Sequence, residues 1–196
     1  LGRHCQQLFE VHEVMAVFLC EVGSVVTGPS AVHKNIIQSH ISGACGVEGM
    51  QFHWTGAYLC VALPSTRITC EQLSAGCTAP TSTWRYIQFA RIEFKSRPLL
   101  IYHTHLASSG SKKLTDRTRK QVFETIGRHA ARCPMKHGAI LGGDFNIGLH
   151  VLEASNFLKL VGGFIAAPRF PLATARCIRL LRPPQRPAAV LACGAS

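Results

Sequence analysis

The chain has 196 residues, 47% of them hydrophobic and 16% charged, a composition that excludes a disordered or membrane-embedded class and makes one domain the default. Lys and Arg number 21 against 10 Asp and Glu, giving a net charge of +11. That excess suits either a polyanionic partner, such as nucleic acid or a phospholipid head group, or an ordinary basic surface.

In chain order, residues 3–16 are predicted as a helix, with Cys5, Leu8, Phe9, His12, Met15 and Ala16 at three-and-four spacing. Val17 to Cys20 follows as a short buried strand ending at Glu21. The apolar run Val14 to Cys20 is far too short to span a bilayer, and no basic leader precedes it. Periodicity is poor from Ser24 to Gln51, where Gly43, Gly46 and Gly49 suggest loop. Tyr58–Leu63, Tyr86–Phe94 and Leu99–Leu106 are expected as strands. Thr115 is an expected helix N-cap, with Asp116 in the first turn. Val122, Phe123, Ile126 and Ala130 form that helix's apolar face, and Pro134 stops it. Ala139 to Leu141 is an expected strand leading into Gly-Gly-Asp-Phe-Asn, and Val151–Val161 an expected helix.

The expected fold class is α/β (α+β), a two-layer β-sandwich flanked by helices and incomplete. Residues 1–165 form the expected domain. Residues 166–196 hold five Arg, five Pro and no acid, and are expected to be a disordered tail. Nine Cys with no Cys-x-x-Cys spacing leave a zinc ribbon unsupported and suggest buried free thiols in a reducing, intracellular setting. Oligomeric state is not readable.

Three stretches could carry chemistry. In Leu141-Gly142-Gly143-Asp144-Phe145-Asn146, a buried strand delivers a carboxylate and a carboxamide two residues apart, hence pointing the same way. An Asx-type turn would look alike. In Tyr102-His103-Thr104-His105-Leu106, His103 and His105 share a face and are candidate acid/base or phosphate-binding groups; a polar strand end fits equally. In Phe18-Leu19-Cys20-Glu21-Val22-Gly23, a carboxylate directly after a strand is placed to hold Mg²⁺ (or Mn²⁺), which takes few carboxylates plus water and phosphate oxygens; taken alone, an exposed Glu that simply ends a strand fits the pattern better. The basic run Lys112, Lys113, Arg117, Arg119 and Lys120 is a candidate polyanion contact or a solvated helix start.

The order Leu19-Cys20-Glu21-Val22-Gly23, Thr104-His105-Leu106 and Gly142-Gly143-Asp144-Phe145-Asn146 resembles the endonuclease/exonuclease/phosphatase (deoxyribonuclease I-like) superfamily over about residues 3 to 150. The third motif is the most specific. The resemblance implies a metal-dependent phosphoesterase, nuclease-like, hydrolysing a phosphodiester or phosphomonoester. It implies that Glu21 holds the catalytic cation and that His105 contacts phosphate or acts as acid/base. Asp144 is implied to address the attacking water and Asn146 to fix the phosphate. His103, Lys112, Lys113 and Arg117 are further expected substrate contacts.

The chain departs from the family pattern. The family's Asn on a preceding strand has no counterpart, and neither has its closing Ser-Asp-His; the only Asp residues are Asp116 and Asp144, and the last His is His150. The domain is therefore expected to be truncated at both ends and weakened or inactive. The alternative is a catalytically dead remnant or a basic nucleic-acid-binding module. Substrate class stays open among DNA, RNA, inositol phosphate and phospholipid.

Overall fold

A computed structural model of the chain describes residues 1–12, 14–22, 29–74, 86–94, 96–106, 112–133, 138–146, 165–166 and 180–182, with side chains not described at 74, 86, 112–115, 165–166 and 180–182. The elements are α1 (Gly2–Glu10), β1 (Ala16–Leu19), α2 (Ala31–Cys45), β2 (Gln51–Thr55), β3 (Tyr58–Ala62), β4 (Ile68–Ser74), β5 (Tyr86–Phe94), β6 (Arg97–His105), α3 (Lys112–Arg132), β7 (Gly138–Asp144), β8 (Ile165–Ala166) and β9 (Leu180–Arg182).

The strands form two sheets. One has order β1-β3-β2 and the other β4-β5-β6-β7-β9-β8. All pairs are antiparallel except β6–β7, which is parallel and connected through α3. The alternation of side chains along each strand sorts them into layers. On β3, Leu59 and Val61 join Cys5 and Phe9 of α1 and Ile41 and Cys45 of α2 in one apolar cluster. On the other sheet, Ile87, Phe89, Leu100, Tyr102, Ala139 and Leu141 join Val122, Phe123, Ile126 and Ala130 of α3 in a second. The remaining faces meet each other. Gln88 on β5 reaches across to donate to the His53 carbonyl on β2 at 2.9 Å. His103 on β6 packs edge-on against Phe18 of β1 and Tyr58 of β3, at ring-centroid separations of 5.7 and 5.2 Å. The architecture is thus helices, sheet, sheet, helix: an α/β sandwich with helices on both outer faces.

Several boundaries differ from the sequence expectation. The first helix stops at Glu10 rather than residue 16. Residues 31–45, expected as loop, form α2. Its N-terminus is capped by Ser30, whose side chain accepts from the His33 amide, and its C-terminus by Gly46 at φ 62, the left-handed turn that glycine adopts without penalty. The helix α3 begins at Lys112, three residues before the expected cap, so Asp116 lies inside it and pairs with Arg119 at 3.5 Å. Strand β4 has no counterpart in the sequence expectation. Leu180–Arg182 falls within the Arg/Pro-rich segment expected to be disordered, yet it pairs with β7, Ile140 opposite Leu181. The expected helix at Val151–Val161 lies outside the described residues.

Candidate active site

Three strands end at the same rim of the sandwich: β1 just before Glu21, β6 at His105 and β7 at Asp144. The parallel register sets His105 opposite Asp144, and the Leu106 amide donates to the Asp144 carbonyl at 2.8 Å. Glycine makes this pairing possible. Gly143 sits at φ 134, and a Cβ there would overlap the Thr104 carbonyl oxygen, so only a residue without a side chain lets the two strands close at this point.

Beyond the strand, Asn146 adopts φ 49, a left-handed conformation that costs a non-glycine residue of order 1 kcal/mol and persists where its surroundings over-determine it. Those surroundings are present. The Asn146 amide donates to Asp144 Oδ1 at 2.9 Å. Its side-chain Nδ2 donates to the Leu106 carbonyl at 2.7 Å and meets His105 Nε2 at 2.8 Å. Its own carbonyl accepts from Arg119 Nη2 at 3.0 Å.

The tautomer of His105 follows from this geometry. A carbonyl oxygen can only accept, so the Asn146 atom facing Leu106 must be nitrogen, and its second hydrogen points at His105 Nε2. Nε2 is then the acceptor, and the proton of neutral His105 resides on Nδ1. Nδ1 faces Glu21 Oε1 at 3.4 Å, and the His105 backbone amide donates to the Tyr58 hydroxyl at 3.0 Å. The result is a chain Glu21–His105–Asn146, with the His105 side chain 6% exposed and the Glu21 side chain 52% exposed. Glu21 itself stands at φ 56. Burial pushes the Tyr58 phenol up to about 12, so it stays a neutral hydroxyl behind the site.

The structure brings Glu21, His105 and Asn146 together and sets Asp144 beside them. His103 is placed elsewhere. It shares a face with His105 but sits two residues, about 6.7 Å, further into the sandwich. There it is buried, its Nδ1 3.4 Å from Gln88 Oε1. Burial first, and the neighbouring His105 second, hold its imidazole down to about 3. It is a neutral core group. Arg117 is exposed on α3, while the side chains of Lys112 and Lys113 lie outside the described residues. Tyr58 is not marked by the sequence, because nothing in Gly56-Ala57-Tyr58 signals a hydroxyl aimed at a strand 47 residues later. Arg119 belongs to the basic run by sequence. Its side chain, 12% exposed, instead turns inward to Asn146.

Among the described residues, no group of three or more His, Cys, Asp or Glu side chains is gathered to hold a metal ion. No helix among them is long and apolar enough to cross a membrane.

No protein-family model and no curated protein matches the sequence. Solved structures do match in three dimensions. TDP2 of D. rerio, complexed with a single-strand DNA product, superposes with a TM-score of 0.63 at 13% identity, over 94% of this chain and 79% of that one. An endonuclease/exonuclease/phosphatase from Bacteroides vulgatus gives 0.61 at 15% identity, over 93% and 78%. The protein SmcL gives 0.57 at 14% identity, over 92% and 76%. At these identities the likeness speaks for the fold, and together with the sandwich and its rim of strand ends it leads to one statement: this chain has the fold of the endonuclease/exonuclease/phosphatase (deoxyribonuclease I-like) superfamily.

Proposed function

We propose that the rim formed by Glu21, His105, Asp144 and Asn146 is the centre of a Mg²⁺- or Mn²⁺-dependent phosphoesterase of nuclease type, with weak or no turnover in this chain. One observation carries the proposal. Three strands separated in sequence deliver a carboxylate, an imidazole and a carboxamide into a single chain of polar contacts, with a second carboxylate two residues from the carboxamide. Glu21 is the group fitted to hold the cation. Its carboxylate is a hard oxygen donor, half exposed at the rim, and Mg²⁺ is commonly held by one or two carboxylates with water and phosphate oxygens as its other ligands. A bound cation would supply charge neutralisation on the phosphoryl oxygens. Both Nδ2 hydrogens of Asn146 are taken up by Leu106 and His105, so its carboxamide would address phosphate by releasing one of them, while Asp144 is placed to orient water.

Weak turnover has its own basis. Both ring nitrogens of His105 are engaged, Nδ1 by Glu21 and Nε2 by Asn146, so in this arrangement the imidazole holds its neighbours rather than moving a proton. The other histidine of the strand, His103, is sealed in the core. A missing general acid/base typically costs about 10²–10⁴-fold in rate.

The substrate class proposed is nucleic acid, because the chain is strongly basic and one structural neighbour holds single-stranded DNA. The same charge excess supports the second reading, a module that binds nucleic acid without cutting it.

The test is hydrolysis of plasmid DNA, RNA and a chromogenic phosphodiester by purified protein with Mg²⁺ or Mn²⁺. Glu21→Gln and Asp144→Ala serve as controls against contaminating nucleases. The expected result is turnover well below about 1 s⁻¹, the low end for typical enzymes, abolished in both variants. Turnover at or above that rate, lost in Asp144→Ala, overturns the claim of weak activity. Turnover unaffected by either substitution removes the rim as the active centre.

A further inference from the structure

Asn146 is held by four polar contacts, and one of its partners comes from outside the strands that carry the site. Arg119 lies in α3, the crossover helix between β6 and β7. Its Nη1 faces Asp116 Oδ1 at 3.5 Å, one turn earlier on the same helix. Its Nη2 donates to the Asn146 carbonyl at 3.0 Å. The planar guanidinium spans both partners at once, which a lysine ammonium on a single stem does not reproduce. Burial lowers the Arg119 guanidinium from its ordinary value while Asp116 raises it; the carboxylate offsets the cost of bringing the charge inside. The Asn146 backbone is left-handed. That geometry is defined by Asp144 on its amide, Leu106 and His105 on its carboxamide, and Arg119 on its carbonyl. The first three arise within the strand ends. Arg119 is the described partner that ties the loop to the helix.

We infer that Arg119 is a positioning residue: by holding the Asn146 carbonyl from α3, it fixes the left-handed turn that aims the Asn146 carboxamide at the rim. The inference rests on the phosphoesterase reading for its catalytic consequence, but its structural claim stands separately. It also gives Arg119 a role different from the rest of the basic run. The guanidinium acts through Asn146 and does not itself meet the substrate.

The experiment compares the unaltered protein with Arg119→Gln, Arg119→Lys and Asp116→Asn, using Arg128→Gln, an exposed arginine further along the same helix, as control. Two readouts are taken on each. The first is the NMR signature of Asn146: its backbone amide, its side-chain Nδ2 resonances and the exchange rate of the amide hydrogen. The second is kcat and KM on a chromogenic phosphodiester with Mg²⁺. In Arg119→Gln, both sets of Asn146 resonances should move, the amide should exchange at least about tenfold faster as its local opening becomes easier, and kcat should fall by more than KM rises. Arg119→Lys should give intermediate values, and Arg128→Gln should match the unaltered protein. Asn146 resonances and exchange in Arg119→Gln that superpose on the unaltered protein, whatever its melting temperature, overturn the inference and leave Arg119 a stabilising residue only. An Asn146 that responds to Arg119→Gln while the metal-dependent turnover of the unaltered protein is left unchanged sustains the positioning role and sinks the phosphoesterase reading of the rim instead. Should Arg119→Gln fail to fold, Arg119→Lys and Asp116→Asn carry the same comparison, and unchanged Asn146 signals in both would again overturn it.

Discussion

Two side chains on one strand face, His103 and His105, end in opposite chemical situations. Their shared face is legible from period-two spacing; their depth is not, because depth depends on where Phe18, Tyr58 and Gln88 arrive from other strands. The buried His103 gives a pH prediction. Its folded-state pKa, about 3, lies below the ordinary 6.5. Above about pH 6.5 it is neutral in both folded and unfolded chains and no stability is forfeited. Below that, the unfolded chain binds a proton that the folded chain refuses, so stability falls by about 1.4 kcal/mol per pH unit towards pH 3. His53 and His129 are also lowered by burial and act in the same direction. Urea midpoints measured from pH 7 to 4 should therefore decline steeply in the unaltered protein and less steeply in His103→Gln. Equal slopes would mean that His103 is accessible to protons in the folded state. At Gly143 a larger effect is expected. The added methyl of Gly143→Ala has to displace the Thr104 carbonyl from the β6–β7 pairing, at a cost of about 4 kcal/mol or more. Urea denaturation checks this, and a loss under about 1 kcal/mol would show that the strands can part there freely.

Among the elements, β5, β6 and the strand into Gly142-Gly143-Asp144 are legible because each is a sustained apolar or alternating run between turn signals. The helix α2 is not. Its buried side is supplied mainly by Ile41 and Cys45, Val32 and Ile36 are 67% and 59% exposed, and Gly43 interrupts it. Such a pattern has no clean amphipathic stripe. The signal that does mark it is the cap, Ser30 after Pro29, with Gly46 at the far end. Strand β4 is hidden for a related reason. Its central residues, Cys70, Glu71 and Gln72, are at most half-buried on a sheet edge, where polar side chains are tolerated. If the Ser30 cap secures α2 as described, Ser30→Ala should lower stability by about 1 kcal/mol, and the melting temperature should drop accordingly. No drop would mean the helix is held by its packing on α1 and β3 alone.

At the scale of the whole molecule, the three motifs point to the fold and to the members of the rim, because residues that end buried strands collect at one end of a sandwich. They do not reveal the couplings between motifs. The pairing of Glu21 with His105 joins residues 84 apart in sequence, and that of Arg119 with Asn146 joins a helix to a loop; neither leaves a local pattern. The charge excess makes a prediction at this scale. If Lys112, Lys113 and Arg117 engage phosphates, single-stranded DNA binding should weaken steeply with salt. The triple alanine variant should then reduce the slope of log K against log salt by about 0.7 for each phosphate that is no longer neutralised. An unchanged slope would take this segment off the binding surface.

The parallel pairing of β6 and β7 also sets an order of events for a chain being born or refolded. The β5–β6 hairpin pairs Phe94 with Arg97 across its closing end, a short-range step of microseconds. His105 is therefore in place on a strand early. Its partner Asn146 is 41 residues away and can arrive only after α3 has wound up and packed back, which demands the closure of a long loop before any pairing rewards it. A chain caught between these steps has a formed hairpin, an open edge on β6 and no rim. Any chemistry at the rim would thereby be confined to molecules in which β6 and β7 have already paired, and the unpaired edge of β6 is where incompletely folded copies would meet one another.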